Sequence, residues 1–166
     1  MPPMRTRLLL AAATVLSGVL AGTVVDRALV GGPAWQALGA EAWAQFSRQA
    51  DLGTGLIAYP VEAIGTTLLL IAAAVSRRFD GDDRARVAPP LVAAIALSLL
   101  GLLLTLKAAP IMLSLGAAQQ AGSLQHAFDD FFFWGLYLRG AVYVLAFVAS
   151  VWALAGYSPK SITSQQ

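Results

Sequence analysis

The 166-residue sequence contains no cysteine and only one histidine, His126. The lack of cysteine excludes disulfides, thiolate zinc sites, iron–sulfur clusters and cysteine nucleophiles. A single histidine excludes any site that needs two histidine ligands from one chain, such as a bis-histidine haem. We therefore expect no cofactor. The side chains that remain for chemistry are carboxylates, lysine, arginine, tyrosine, serine and threonine.

Charged residues are also scarce. They make up 12% of the chain, and 58% of the residues are hydrophobic, whereas soluble domains carry about 25% charged residues. This composition is typical of membrane proteins. The net charge is only +2, and the arginines do not form one basic face, so we do not expect nucleic-acid binding.

Four apolar runs are each long enough to cross a bilayer, which takes about 18 residues or more. They predict spans at about 8–25, 52–75, 91–113 and 131–157. The first run also fits a cleaved signal peptide, because a basic head precedes it and small residues follow. Residues 34–50 have the spacing of a short amphipathic helix that lies on the membrane or caps the bundle. The predicted fold is all-α, a four-helix transmembrane bundle in one integral membrane domain, with this short helix between the first two spans.

The connections carry their own signals. A turn is predicted before the amphipathic helix, at Gly31, Gly32 and Pro33. A small polar connection is predicted at residues 116–130. Basic residues gather on the side shared by both termini and the middle loop. They are Arg5, Arg7, Arg77, Arg78, Arg84, Arg86 and Lys160. The positive-inside rule therefore predicts cytoplasmic termini, with the amphipathic helix and the 116–130 connection facing outward.

Glu62 is an ionisable residue inside the second predicted span, which makes it a functional-site hypothesis by default. At a rise of about 1.5 Å per residue, it lies about 12 Å below the outer boundary, and Arg139 in the fourth span lies equally deep. Lys107 falls in the outer part of the third span. Tyr59 lies one turn above Glu62, and Tyr137 lies near Arg139. These five side chains are therefore expected to converge in the outer half of the bundle.

Three interpretations of this convergence stay open. The first is an outward-facing polar pocket, lined by these five residues, that binds or acts on a small amphiphilic or anionic molecule, with Glu62 as the candidate catalytic residue. The alternative is a non-catalytic structural or partner subunit, a homo-oligomer or part of a membrane complex, in which Glu62 and Arg139 form an ion pair that fixes helix register. Lys107 would then extend towards lipid headgroups. The third interpretation is a proton-coupled transporter.

His126, Asp129 and Asp130 have the spacing of metal ligands on one helical turn. Three ligands from a single turn without a fourth make a poor site. We therefore predict no metal centre here, and interpret these residues as a solvated acidic start to the fourth span.

The layout of residues 8–157 resembles the anthrone-oxygenase-like family of small bacterial four-span membrane proteins. The similar features are the glycine-containing first span, the 35–48 helix, Gly55, Tyr59, Pro60 and Glu62 in the second span, and Arg139 after aromatic residues. The resemblance implies a bacterial inner-membrane protein and, at most, a cofactor-independent oxygenase-like activity. Glu62 would then remove a proton from carbon, and Arg139 and Lys107 would stabilise the enolate.

Overall fold

The computed structural model describes residues 4–79, 86–116 and 121–157. Its described parts contain helices and no strand. Four helical stretches are long and apolar enough to cross a membrane, namely Met4–Leu38, Ala40–Phe79, Ala88–Ser114 and Gly122–Ala155. The predicted all-α class with four membrane-spanning helices is confirmed, and the chain is a multi-pass membrane protein.

Three of the four stretches combine α-helix with a π-helical segment. The first contains α1 (Met4–Asp26), π1 (Arg27–Gly31) and α2 (Gly32–Leu38). The second contains α3 (Ala40–Gln49), π2 (Ala50–Thr54) and α4 (Gly55–Phe79). The third is α5 (Ala88–Ser114), and the fourth contains α6 (Ala121–Asp130), π3 (Phe131–Leu138) and α7 (Arg139–Ala155). Each π segment therefore joins a short helix to a long one.

The four long helices form a ring in the order α1, α4, α5, α7. Helix α1 packs on α4 and α7, and α5 packs on α7, whereas α4 and α5 meet more loosely. Leu10, Leu70 and Leu91 belong to one buried core cluster that also contains several alanines. Burying such leucines stabilises a helix pair through dispersion, and the small alanines let the backbones approach. The looser seam between α4 and α5 is where space remains inside the bundle.

Helices α2, α3 and α6 cover one end of the bundle, which we call the capped end. Trp43 is completely buried there, with ring centroids 5.4 Å from Phe128 and 5.1 Å from Phe131. The predicted amphipathic helix is thus two helices that cap the bundle, separated by Gly39 at φ +91°, a conformation that favours glycine. Trp35 is also buried, so both tryptophans pack inside the protein.

Two predicted breaks are helical in the structure. The turn expected at residues 31–33 is wrong, because the helix continues through π1 into α2. Gly32 is buried and a Cβ there would lie 3.3 Å from Leu136 and 3.5 Å from Phe132. Pro33 lies near the junction of π1 and α2, and it removes one backbone hydrogen bond from the continuous helix because it has no N–H. The polar connection expected at 116–130 is helix α6 over most of its length, and residues 117–120 lie outside the described parts.

Candidate functional site

A buried ion pair links the first two spans just below the capped end. Arg27 Nη2 donates to Asp51 Oδ1 and, at 2.6 Å, to the hydroxyl oxygen of Tyr59. The guanidinium carbon of Arg27 also lies 4.9 Å from the centroid of the Tyr59 ring. The side chains of Arg27 and Asp51 are 15% and 5% exposed. One guanidinium therefore holds a carboxylate and a phenol on the neighbouring stretch.

The π segments place the charged residues of this site. Arg27 is the first residue of π1, Asp51 lies in π2, and Arg139 directly follows π3. Because each π segment joins a cap helix to a span, all three side chains fall at one level of the bundle. Asp51 and Tyr59 lie on either side of a backbone kink at Gly53, and both contact the guanidinium of Arg27. Single π turns inside α-helices are frequent at functional sites.

Arg139 is the second guanidinium at this level. Its Nε donates to the carbonyl oxygen of Gly135 at 3.0 Å. Its two terminal nitrogens form no hydrogen bond or ion pair within residues 4–79, 86–116 and 121–157. Nearby, the hydroxyl of Tyr143 lies 3.4 Å from Thr105 Oγ1. Within those ranges, Arg139 is thus a cation without a carboxylate partner.

Two connected chambers lie along the seam between α4 and α5. The larger, about 570 Å³, is lined by residues of all four spans, chiefly by aliphatic side chains of α1, α4 and α5. The smaller, about 170 Å³, lies towards the capped end and includes Asp51 in its lining. Both are lined by a shared set of residues, Arg27, Tyr59, Pro60, Thr105 and Arg139. The polar members of this shared set lie between the two chambers, and we call them the polar belt: Arg27, Tyr59, Thr105 and Arg139.

The larger chamber opens through the side of the bundle. Five of its lining residues are also exposed on the outer surface: Pro60 and Ile64 of α4, and Leu99, Leu103 and Leu106 of α5. Leu103 is 63% exposed and Leu106 is 72% exposed. The mouth is therefore an apolar gap between two spans, at a level where the surface around it is also apolar.

The structure brings together two of the five residues expected to form the pocket. Tyr59 and Arg139 line both chambers, whereas Glu62, Lys107 and Tyr137 line neither. The expected ion pair between Glu62 and Arg139 is not formed among the described residues, where Asp51 is the carboxylate that pairs with an arginine. The prediction of that pair is wrong.

Helix rotation explains why Glu62 misses the pocket. The α4 residues that line the larger chamber are Tyr59, Pro60, Ala63 and Ile64. With 3.6 residues per turn, Glu62 is turned about 60° from Tyr59, away from this face. It is half-buried, and its Oε2 is buried without a hydrogen-bond partner in the described parts of the chain.

Lys107 and Tyr137 occupy other surfaces. Lys107 is exposed on α5. Tyr137 is 48% exposed, and its ring lies edge-on to Phe132 at 5.9 Å. His126 is largely exposed and its Nε2 lies 3.9 Å from Asp130 Oδ2. Over the described ranges, no group of three histidine, aspartate or glutamate side chains is placed to hold a metal ion.

Sequence reasoning missed Arg27 and Asp51. Both were assigned to connections, because the predicted spans ended where the apolar runs ended. The available signal was their opposite charge at the adjoining ends of consecutive spans, together with the eight-residue spacing between Asp51 and Tyr59. In an unbroken helix, that spacing would put an acid and a phenol on one face.

Comparison of the chain with family models, with curated proteins and with solved structures gives no match. The site must therefore be interpreted from its own geometry and chemistry.

Proposed function

We propose that this protein binds an anionic amphiphile in the cavity between α4 and α5. The anionic group of the ligand contacts Arg139, and its apolar part fills the larger chamber. The proposal rests on the hydrogen bonding and the position of Arg139. Its terminal nitrogens are unpaired within the described ranges, and its side chain lines both chambers.

The charge balance of the belt favours an anion. Arg27 is neutralised by Asp51, so Arg139 leaves one net positive charge on the chamber walls. An uncompensated arginine at the centre of a membrane helix costs about 2.5–3.5 kcal/mol on insertion scales. A carboxylate or phosphate can accept two parallel hydrogen bonds from a guanidinium. A bound oxyanion would therefore supply the partner that Arg139 lacks.

The shape of the cavity supports an apolar tail. Its volume of about 570 Å³ lies within the range of about 300–1,000 Å³ that is usual for small-molecule sites. Its walls are mainly aliphatic, and its mouth lies between two spans rather than at the end of the bundle. A ligand dissolved in the bilayer can enter through such a mouth without crossing water.

The proposal includes an orientation. The positive-inside rule places the capped end, and with it the polar belt, on the outer side of a bacterial inner membrane. Oxygenase-like activity, implied by the resemblance to the anthrone-oxygenase-like family, stays a prediction. If it holds, Asp51 is better placed than Glu62 to act as the base, because Asp51 lines a chamber and Glu62 does not.

Native mass spectrometry of protein purified gently from its own membranes tests the proposal. We expect a bound anionic lipid or lipid-like molecule on the wild-type chain and its loss from Arg139→Gln. The matched control is Lys107→Gln, which removes a cation from an exposed position outside both chambers and should keep the ligand. A co-purifying membrane protein without any small molecule would instead favour the structural or partner subunit.

A further inference from the structure

Tyr143 is a buried phenol on the wall of the larger chamber. It follows Arg139 by one helical turn, so the two side chains lie on the same face of α7, and both line the larger chamber. The residue is only 4% exposed. A buried tyrosine hydroxyl usually has a hydrogen-bond partner, so the acceptor of its proton bears on what the chamber binds.

The proton of Tyr143 is poorly used in the described parts of the chain. Its hydroxyl has one polar contact there, with Thr105 Oγ1 at 3.4 Å, whereas a good bond between two oxygens spans about 2.5–3.0 Å. Thr105 Oγ1 donates its own proton to the carbonyl oxygen of Gly101 at 2.9 Å, so it has none left for Tyr143. Tyr143 is therefore a donor whose acceptor among the described residues is distant.

Tyr59, the phenol of the polar belt, differs in this respect. Its hydroxyl accepts from Arg27 at 2.6 Å and keeps its own proton for the neighbouring Asp51 carboxylate. Asp51 also neutralises the charge of Arg27. The uncompensated cation and the poorly used phenol are thus Arg139 and Tyr143, which lie together on α7.

Packing against α5 fixes the position of the Tyr143 ring. Gly101 has no side chain, and a Cβ there would overlap Cε1 and Cζ of the ring, so the ring packs directly on the backbone of α5. Thr105 lies one turn further along α5 and holds the hydroxyl at the level of the polar belt. A donor that is already held in place loses little conformational freedom when it binds a ligand.

The charge of the site limits the kind of anion that it can hold. Arg139 leaves one net positive charge on the chamber walls. A carboxylate carries one negative charge and cancels it, whereas a phosphate monoester carries about −1.5 to −2 at pH 7. The second charge of the phosphate would stay uncompensated in an apolar cavity, which is unfavourable.

We infer that Tyr143 is a second contact for the head group of the ligand, and that the ligand is an amphiphilic carboxylate such as a fatty acid. This inference rests on the proposed function, since it specifies the head group of the anionic amphiphile already assigned to the cavity. A carboxylate has about four acceptor sites on its two oxygens. Arg139 donates to it from the terminal nitrogens, and Tyr143 donates from the phenol in place of its distant contact with Thr105.

The test measures binding of radiolabelled hexadecanoate to the full chain in phosphatidylcholine nanodiscs, and empty nanodiscs correct for partition into lipid. Tyr143→Phe keeps the ring and removes only the hydroxyl. We expect the affinity to fall about tenfold, the order of effect of one hydrogen bond to a charged group. Tyr137→Phe is the matched control and should bind normally, because Tyr137 is exposed and lines neither chamber.

Competition with hexadecyl phosphate tests the class of head group. This compound has the same tail, and at about pH 8 its phosphate carries two negative charges. We expect it to displace hexadecanoate from the wild-type chain at least about tenfold less well than unlabelled hexadecanoate does, because one of its charges lacks a partner. Equal competition would refute the preference for a carboxylate.

Infrared spectroscopy separates a direct contact of Tyr143 from an effect on packing. The antisymmetric stretch of hexadecanoate that is isotope-labelled at its carboxyl carbon reports the hydrogen bonds of the carboxylate. At saturating ligand, we expect this band to differ between wild type and Tyr143→Phe, and to be the same in wild type and Tyr137→Phe. Weaker binding with an unchanged band would show that Tyr143 acts through packing, which would refute the contact.

The remaining outcomes separate the inference from the proposed function. If Tyr143→Phe binds hexadecanoate as tightly as wild type while Arg139→Gln binds it weakly, the proposed function stands and the inference is refuted. If hexadecanoate does not bind the wild type above empty nanodiscs, the inference fails. The proposed function then fails as well unless native mass spectrometry shows another anionic amphiphile that Arg139→Gln loses.

A second variant applies if Tyr143→Phe cannot be purified as a folded protein. Thr105→Val removes the acceptor that competes with the ligand for the proton of Tyr143. Tighter binding of hexadecanoate in this variant supports the contact, and equal or weaker binding refutes it.

Discussion

Gly101 offers a stringent test of the packing between α5 and α7 beside the cavity. A Cβ at this position would lie 2.4 Å from Cε1 and 2.7 Å from Cζ of Tyr143, whose side chain is buried. Since ordinary contacts begin at about 3.4 Å, Gly101→Ala requires the ring to withdraw by about 1 Å. Such overpacking costs about 1–3 kcal/mol, and the better helix propensity of alanine returns about 1 kcal/mol.

Gly22→Ala is the matched control for the propensity effect. Its Cβ would meet nothing within 4 Å, so this variant should gain up to about 1 kcal/mol. The measurement is equilibrium unfolding of each variant in mixed micelles, followed by circular dichroism. We expect Gly101→Ala to be less stable than Gly22→Ala by about 1–3 kcal/mol, because the comparison cancels the helix term.

The Gly101 variant also has a consequence for the site. Tyr143 lines the larger chamber and its hydroxyl faces Thr105, so a displaced ring should weaken hexadecanoate binding while the Gly22 variant binds normally. Equal stability of the two variants, together with unchanged binding in both, would show that α5 and α7 are not packed as closely as described and would refute the reasoning.

Two further predictions concern the ion pair and the mouth. Asp51→Ala leaves Arg27 buried without its partner, and we expect the free energy of unfolding to fall by about 3 kcal/mol in the same assay. The exposed control Asp26→Ala should lose less than about 0.5 kcal/mol. A small loss in both variants would mean that the pair is not buried. Leu103→Trp places a large ring at the mouth and should slow hexadecanoate uptake into nanodisc-embedded protein in a stopped-flow assay without lowering stability. Leu100→Trp, exposed on the same helix but outside both chambers, should leave uptake unchanged, and equal rates in the two variants would contradict lateral entry.

The number and class of the helices were predictable from the sequence because they follow from local composition. Any apolar run of sufficient length must satisfy its backbone hydrogen bonds internally in a membrane, and the helix does so. The number and class of the helices depend only on the residues within each segment, which can be read from the sequence directly.

The direction in which each side chain points could not be predicted in the same way. Glu62 lies one turn from Tyr59 but faces away from the chamber, because α4 is rotated to present Tyr59, Pro60 and Ala63. That rotation is set by packing against α1, where Gly65 lies against Leu16. Helix rotation depends on the neighbouring helices, and a single sequence does not reveal which faces they contact.

The span ends were misplaced for a related reason. Apolar runs stop at Asp26 and begin again near Leu52, so Arg27 and Asp51 were taken as connection residues. In the structure the helices extend past these charges into the cap, because Trp35, Trp43 and the phenylalanines of α6 and π3 bury one another. Once Arg27 and Asp51 neutralise each other, the helices can continue through them.

The π segments make the site depend on chain length as well as residue type. A π turn holds about one residue more than an α turn. Each cap helix is therefore rotated relative to its span by about 100° from the position it would have in a continuous α-helix of the same residues. If the residues of Phe131–Leu138 formed a continuous α-helix instead, Arg139 would turn by about 100° relative to the buried Phe131 and Phe132. The same helices and the same side chains would then form a bundle without a cation in its cavity. Sequences related to this one are therefore expected to lose one residue between cap and span wherever they lose a π turn, even where the residues themselves differ.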